Sequence, residues 1–240
     1  MIERQVEIET PEGSMTTFIY HPEEGGPHPV VLYYMDAPSI RPALKEMASR
    51  LATAGYYVML PFLYYRNSPY REFGASDEDM HARRELMGAI TKAGAVADAT
   101  ALIAFADQDR AAATGKVGAV GFCMSGPLVV ALTNELPGRV VAAASIHGAW
   151  FVTDKPDSSH LNVSNIKGEL YFGWADADPT APISDMESMQ SALRGAGVLH
   201  TIDFFTGAEH GFAPRGPRYH QYASEKHWER VHALFRRNIG

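Results

Sequence analysis

Cysteine is almost absent from this sequence. Cys123 is the one cysteine in 240 residues, so no disulfide can form within the chain and nothing indicates an oxidising compartment. This residue lies between two apolar runs, in the glycine-flanked segment GFCMSG (residues 121–126). A lone cysteine is usually a small buried hydrophobe. Its position between glycines, where a predicted strand gives way to a predicted helix, indicates a chemical role as an alternative to simple packing.

Long apolar runs are missing as well. No stretch of about 20 consecutive apolar residues exists, which predicts that no helix spans a membrane. The first residues, MIERQVEIETPEGSM, carry charges within the first four positions and have no apolar centre, so we do not expect them to be a signal peptide. We therefore expect a cytoplasmic protein with no membrane partner.

Positive charge is in deficit, with 21 Lys and Arg against 28 Asp and Glu and a net charge of −7. Phosphate backbones require a basic face, so we expect no nucleic-acid partner. The phosphate-binding pattern GxxxxGK[ST] is absent, and no HExxH or Cys/His spacing supports a metal site. We expect no cofactor and no metal ion. The sequence leaves the oligomeric state open.

The order of predicted elements favours an alpha/beta fold. An alternating segment with a Pro-Glu-Gly turn predicts an initial hairpin. Apolar runs such as HPVVLYYMDA are typical of strands buried on both faces, and they alternate with segments of helical periodicity. This alternation predicts a mostly parallel central sheet with helices on both faces, in a single domain over residues 1–240. Reactive residues are then expected at the carboxyl ends of strands.

Cys123 occupies the middle of a Gly-x-Cys-x-Ser pattern, formed with Gly121 and Ser125. The pattern matches the nucleophile elbow, with cysteine in the usual serine position. Such a turn requires small flanking residues, because it strains the central residue and brings the neighbouring chain close. It presents the sulfur above the sheet near a helix N-terminus and aims the N–H of Met124 at a developing oxyanion.

A thiol needs a base, and a base needs an orienting acid. After the predicted elbow, the sequence supplies acidic residues in LYFGWADADP and then a histidine in FFTGAEHGFAP, which is the chain order of alpha/beta hydrolases. His210 follows a predicted strand in a glycine-flanked loop. Asp176 is the favoured acid because it stands three residues after Gly173, a spacing associated with the acid in this fold. Asp178 is the alternative, although Asp-Pro is also typical of a turn.

These motifs together resemble the dienelactone hydrolase family, and the resemblance spans nearly all of the chain. It is carried by VLYYMDAPSIRP (31–42), GYYVMLPFLYYR (55–66), VGAVGFCMSG (117–126), YFGWADADP (171–179) and GAEHGF (207–212). The resemblance implies an alpha/beta-hydrolase fold and a carboxylic ester hydrolase that takes a small-molecule ester or lactone. It also implies a nucleophilic Cys123, a basic His210 and an orienting Asp176.

The resemblance also implies further site residues. The N–H groups of Ala37 and Met124 would form the oxyanion hole. The family carries a glutamate that is thought to interact with the thiol, and this chain has the shorter Asp36 there. Arginines that hold a substrate carboxylate in the family's prototype correspond to His81, with Arg83 and Arg84 nearby, and to Arg215 or Arg218. Neither match is clean, so a substrate carboxylate does not follow.

Other residues are candidates for substrate contact because they follow predicted strands and could line the rim of a pocket. These are Tyr64, Tyr65, Arg66, His147 and Trp150.

Two other classes of function stay open from the sequence alone. Cys123 could be a redox sensor that is oxidised rather than acylated, although no second cysteine exists to resolve a sulfenic acid. The chain could also be a non-catalytic binding module on a hydrolase scaffold.

Overall fold

The computed structural model describes residues 1–240 and has an alpha/beta fold. Eight strands form a mostly parallel sheet and are accompanied by six helices. The fold class predicted from the alternation of elements is therefore confirmed. The chain divides into two compact units, residues 1–115 and 116–240. The assignment of residues 1–240 to one domain stays a prediction.

The elements have the following bounds. The strands are β1 (Ile2–Thr10), β2 (Gly13–His21), β3 (His28–Tyr34), β4 (Tyr57–Pro61), β5 (Ala112–Phe122), β6 (Val140–Ile146), β7 (Glu169–Ala177) and β8 (His200–Glu209). The helices are α1 (Pro42–Ala52), α2 (Asp77–Gly88), α3 (Lys92–Ala106), α4 (Gly126–Glu135), α5 (Ile183–Gly195) and α6 (Gln221–Asn238). Short 3-10 turns occupy Cys123–Ser125 and Ser159–Leu161.

In the first unit, the strands lie in the order β1-β2-β4-β3. β1 and β2 form the predicted hairpin, β2 is antiparallel to β4, and β3 is parallel to β4. The continuous apolar runs of β3 and β4 are buried almost throughout, as a strand covered on both faces requires. Helix α2 is capped by Ser76, whose hydroxyl accepts the Asp79 N–H at 3.2 Å.

The second unit holds four strands in the order β5-β6-β7-β8, each parallel to its neighbours. The carboxyl ends of parallel strands meet at one edge of the sheet, where reactive residues are expected. Each of these four strands is followed at once by a chemically capable side chain. In chain order, these side chains are Cys123, His147, Asp178 and His210.

No single helix is both long and apolar enough to cross a membrane. Only α2 and α3 taken together meet that test by length and composition, and they are bent by 87° at the break between them.

Candidate active site

The turn that carries Cys123 has the strained geometry that a nucleophile elbow needs. Cys123 has a φ of +54°, in the left-handed region that residues with a side chain rarely adopt. β5 ends at Phe122, and α4 begins at Gly126 after a single 3-10 turn. A Cβ atom at Gly121 would collide with the backbone carbonyl of Ser125. The small residue at position 121 is therefore sterically required, as the sequence pattern predicted.

His210 lies beside the sulfur. Its Nε2 atom is 3.0 Å from the Cys123 Sγ, within hydrogen-bonding distance for a sulfur. The Cys123 residue is 8% exposed and the His210 side chain 16% exposed, so the contact is largely shielded from solvent. The next residue, Gly211, has a φ of +87°, which allows the chain to turn sharply after the imidazole.

The acid that contacts His210 is Asp178 and not Asp176. The Asp178 Oδ2 atom is 2.6 Å from Nδ1 of His210, and the Asp178 side chain is almost completely buried. The contact expected of Asp176 is therefore made by Asp178, the alternative considered from the sequence. The contacts run in series from sulfur to imidazole to carboxylate, all within the second unit.

Asp176 has a different task at the end of β7. Its Oδ2 atom accepts the backbone N–H of Gly207 at 3.0 Å. The pairing of β7 with β8 shifts register here, since Ala175 pairs with Phe205 while Ala177 pairs with Glu209. Asp176 is exposed and stabilises this irregularity, which directly precedes His210.

Asp178 uses its two oxygens for two different contacts. Oδ2 faces His210, while Oδ1 accepts the Thr180 N–H at 2.9 Å and the Thr180 hydroxyl at 2.6 Å. The second set of bonds is the turn that the Asp-Pro dipeptide predicted. Turn formation and orientation of the imidazole are compatible, because a carboxylate can accept several hydrogen bonds.

The charges of the site reinforce one another. Burial lowers the pKa of His210, but the hydrogen bonds with Asp178 and Cys123 outweigh it and raise that pKa from 6.5 to about 10. Burial raises the pKa of Asp178, but the hydrogen bonds from His210 and Thr180 outweigh it and hold that pKa below its usual 3.8. The arrangement therefore favours an imidazolium beside a carboxylate at neutral pH.

His147 lies in the interior and not at the rim of a pocket. It is 1% exposed, and its ring centroid is 5.3 Å from that of His210 and 5.2 Å from that of Phe212. Burial lowers the pKa of His147 well below 6.5, and the nearby His210 lowers it further. The expectation of a rim residue is wrong here. His147 is a neutral packing neighbour of the His210 imidazole.

Trp150 is exposed beside the turn that carries Asp178. It is 43% exposed and has a φ of +57°. Its backbone N–H donates to the carbonyl of Thr180 at 2.9 Å, which fixes it next to the turn that carries Asp178. An exposed aromatic residue held in a strained conformation near the acid remains a candidate for substrate contact.

In the first unit, Asp36 is committed to an ion pair. Both of its oxygens accept from the Arg41 guanidinium, at 2.6 and 2.8 Å, and Asp36 is buried. Ala37, the predicted oxyanion donor, has its carbonyl held by the Tyr64 hydroxyl at 2.9 Å. These contacts fix the loop after β3, and the Asp36 carboxylate stabilises that loop through its ion pair with Arg41.

The remaining predicted contact residues have varied surroundings. The Tyr65 hydroxyl is shared between Asp98 and Thr10, at 2.7 and 2.8 Å, which gives it a structural role. His81 is exposed on α2, with its Nε2 3.3 Å from Glu85. The Arg215 guanidinium lies 5.7 Å from the ring centre of Tyr219.

Arg218, the alternative to Arg215, comes close to the loop that carries His210. A Cβ atom built on Gly211 would lie 3.4 Å from the Arg218 guanidinium carbon.

The first unit contains an open cavity of about 220 Å³ beside Ala37. Its lining residues are Ala37, Pro38, Met80, Arg83, Arg84 and Met87. Sequence reasoning noted the two arginines but had no signal for the two methionines, which lie on α2 facing this cavity.

The fold is that of the alpha/beta hydrolases. A crystal structure provisionally assigned as a dienelactone hydrolase from Klebsiella pneumoniae matches 98% of this chain and 98% of its own, with a TM-score of 0.88 and 21% identity. The dienelactone hydrolase family model matches residues 15–239. The chain therefore belongs to the dienelactone hydrolase family, as the sequence motifs indicated, and is a hydrolase.

Curated relatives agree with this assignment. A protein of Synechocystis sp., provisionally named carboxymethylenebutenolidase, is 29% identical over 226 residues, covering 92% of this chain and 91% of its own. Carboxymethylenebutenolidase of Pseudomonas putida is 23% identical over 214 residues, covering 89% of this chain and 87% of its own.

Proposed function

We propose that the protein hydrolyses a carboxylic ester or lactone by transferring the acyl group to the sulfur of Cys123. The observation that carries this proposal is the series of contacts from Cys123 Sγ to His210 Nε2 and from His210 Nδ1 to Asp178 Oδ2. Nucleophile, base and orienting acid in series are the arrangement of acyl-transfer enzymes with activated nucleophiles.

The reaction begins from an ion pair. The raised pKa of His210 means that the imidazole holds a proton at neutral pH, and a cation beside the sulfur stabilises the thiolate. A protonated His210 favours a preformed pair of imidazolium and thiolate over proton transfer during the attack. The thiolate attacks the carbonyl carbon, and the carbonyl electron pair moves to the oxygen.

The tetrahedral intermediate then collapses. Its oxyanion is stabilised by the N–H of Met124; one such donor contributes on the order of 3 kcal/mol in other enzymes. The C–O bond to the leaving group breaks, His210 gives its proton to the alkoxide, and a thioester forms. Neutral His210 next takes a proton from water, which attacks the thioester and releases the acid and the thiolate.

The substrate class follows from the nucleophile. A thiolate is a weak base and departs readily, so the substrate's own leaving group must depart at least as easily. A strained lactone or an activated enol ester meets this condition, whereas an amide does not. The names of the curated relatives, carboxymethylenebutenolidases, support an enol-lactone substrate. We expect the protein to act in the cytoplasm.

The test is turnover of aryl acetates and enol-lactones by the wild-type protein and by Cys123→Ala. Turnover is expected for the wild type and not for the variant, and circular dichroism checks that the variant is folded. Retained turnover by Cys123→Ala would refute the assignment. Inactivity of the wild type across a broad panel would favour a binding module. Ready oxidation of Cys123 by mild peroxide, with no acylation by any ester, would favour a redox sensor.

A further inference from the structure

We infer that Thr180 is a positioning residue. Its hydroxyl fixes the Asp178 carboxylate in the orientation that aligns His210 with the Cys123 sulfur. This inference rests on the proposed function, because it concerns the same triad. Thr180 was not among the candidates from the sequence, and it acts through Asp178 rather than on the substrate.

The first support is the geometry of the hydroxyl. Thr180 Oγ1 lies 2.6 Å from Asp178 Oδ1 and 3.3 Å from His210 Nδ1. A hydroxyl has one proton to donate, and the shorter contact with an anion takes it. Oδ1 also accepts the Thr180 N–H at 2.9 Å. One residue therefore supplies two donors to Oδ1 and leaves Oδ2 for the imidazole.

The second support is the shielding of the carboxylate. Asp178 is buried, so water cannot readily replace a donor that is lost. A buried acceptor left without its partner costs about 1–3 kcal/mol, and more when it is charged. The carboxylate can reduce that cost by rotating, and any rotation weakens its bond with His210 Nδ1.

The third support is the way the Thr180 backbone is held. Its carbonyl accepts the N–H of Trp150 at 2.9 Å, and the N–H of the preceding Ala149 donates to the carbonyl of Cys123 at 3.1 Å. The segment after β6 thus connects the turn of the acid with the turn of the nucleophile. Thr180 lies at the acid end of this connection, so its hydroxyl is delivered to Asp178 by a backbone that is fixed relative to the sulfur.

The charge state of His210 provides the readout. The titratable and charged groups around the imidazole are Asp178, Cys123, the neutral buried His147 and, beside Gly211, Arg218. Of these, Asp178 and Cys123 raise the pKa of His210. Misalignment of Asp178 removes part of that stabilisation, so the pKa of His210 falls from about 10 towards 6.5. The imidazolium is then lost at lower pH.

The experiment compares wild type, Thr180→Val and Thr180→Ser. Valine keeps the shape and the backbone N–H but lacks the hydroxyl, whereas serine keeps the hydroxyl. The rate of Cys123 alkylation by iodoacetamide is measured against pH by mass spectrometry, which is unambiguous because the chain has one cysteine. Hydrolysis of an aryl acetate is measured in parallel, and thermal melting confirms that each variant is folded.

For Thr180→Val, we expect His210 to lose its proton at a lower pH. The change in alkylation rate that accompanies this loss should move at least about one pH unit lower, and one pKa unit corresponds to a tenfold change in the protonation equilibrium. The kcat for ester hydrolysis falls at least about tenfold with KM little changed, as expected when only transition-state alignment is lost. Thr180→Ser retains wild-type behaviour. If Thr180→Val does not fold, Thr180→Ala replaces it in the same comparison.

An unshifted profile and unchanged kcat in the variant without the hydroxyl would overturn the inference, as would an equal loss in Thr180→Ser. A purely structural role would lower the melting temperature without moving the profile. Failure of the proposed function is a separate result: the wild type would then hydrolyse no ester. The alkylation profile still tests the role of Thr180 in that case, because it does not depend on turnover.

Discussion

The Nδ1 atom of His210 lies 2.6 Å from the Oδ2 atom of Asp178. The opposite ring nitrogen, Nε2, lies 3.0 Å from the Cys123 sulfur. The imidazole is therefore held between the Asp178 carboxylate and the Cys123 sulfur, and a flip of the ring would break both contacts. The most direct consequences concern the choice of acid, the protonation of His210 and the shape of the turn that carries Cys123.

Asp178→Asn should impair catalysis far more than Asp176→Asn. The amide cannot supply the charge that stabilises the imidazolium, and the same change in a Ser-His-Asp triad costs on the order of 10⁴ in kcat. Asp176 contacts only Gly207 among the atoms near the site, so Asp176→Asn should retain kcat within about threefold. Steady-state hydrolysis of an aryl acetate measures both. A larger loss in Asp176→Asn would restore the assignment that the sequence favoured.

His210→Gln should change how alkylation of Cys123 depends on pH. The pKa of His210 is raised to about 10, so the imidazole keeps its proton, and its favourable effect on the thiolate, from pH 6.5 to near 10. The wild-type rate should therefore vary little between pH 7 and 9. In His210→Gln, the rate should rise steeply near pH 8.5, where an ordinary thiol ionises.

His200→Gln is a matched control for this experiment. His200 lies at the opposite end of β8, where its Nδ1 is 2.8 Å from the carbonyl of Val198. Its replacement should leave the alkylation profile unchanged. A steep rise near pH 8.5 in the wild-type protein itself would show that the sulfur and the imidazole do not form an ion pair.

Gly121→Ala should disrupt the turn that carries Cys123. The added Cβ would collide with the Ser125 carbonyl, which belongs to the backbone and cannot move aside cheaply. We expect a loss of about 1–3 kcal/mol in the free energy of unfolding, the usual range for overpacking, together with slower alkylation of Cys123. Urea denaturation provides the first quantity. Gly88→Ala is the control, because a Cβ there meets nothing within 4 Å, and it should be close to wild type.

Arg66→Ala should destabilise the first unit. The Arg66 guanidinium binds both oxygens of the buried Asp98, at 2.9 and 2.7 Å. Its removal leaves a buried carboxylate with only the Tyr65 hydroxyl, and breaking a buried pair costs about 3–5 kcal/mol. Lys226→Ala, which breaks the exposed pair with Glu229, should cost under about 1 kcal/mol. Equal effects of the two substitutions on urea denaturation would contradict this.

Much of the fold could be predicted from local patterns. The hairpin, the buried strands and the start of α2 follow from alternation, continuous apolar runs and a serine cap, all of which act over a few residues. Helix α3 begins at Lys92, because Thr91 caps it: the Thr91 hydroxyl accepts the Gly94 N–H at 3.0 Å.

The elbow was predictable for the same reason, since steric limits around Cys123 are set by residues two positions away. The acid was not. Asp176 and Asp178 differ only in contacts with distant chain, namely Gly207 for one and His210 for the other. The turn chemistry that counted against Asp178 occupies one carboxylate oxygen and leaves the other available.

The burial of His147 was also beyond local reasoning. A histidine after a strand is as compatible with a pocket rim as with the interior, and its packing on His210 and Phe212 depends on β8 and the loop after it. The ion pair between Asp36 and Arg41 could have been suspected, because the two residues are five apart around a Pro-Ser turn.

The most direct test of the account is to trap the acyl group. The protein is mixed with an aryl ester of a hindered acid, whose thioester hydrolyses slowly, and quenched in acid for intact-mass and peptide analysis. We predict one acyl group per chain, located on Cys123, and none on Cys123→Ala. Rapid hydrolysis of the ester with the acyl group on another residue, or with Cys123 unmodified at every time point, would contradict the account.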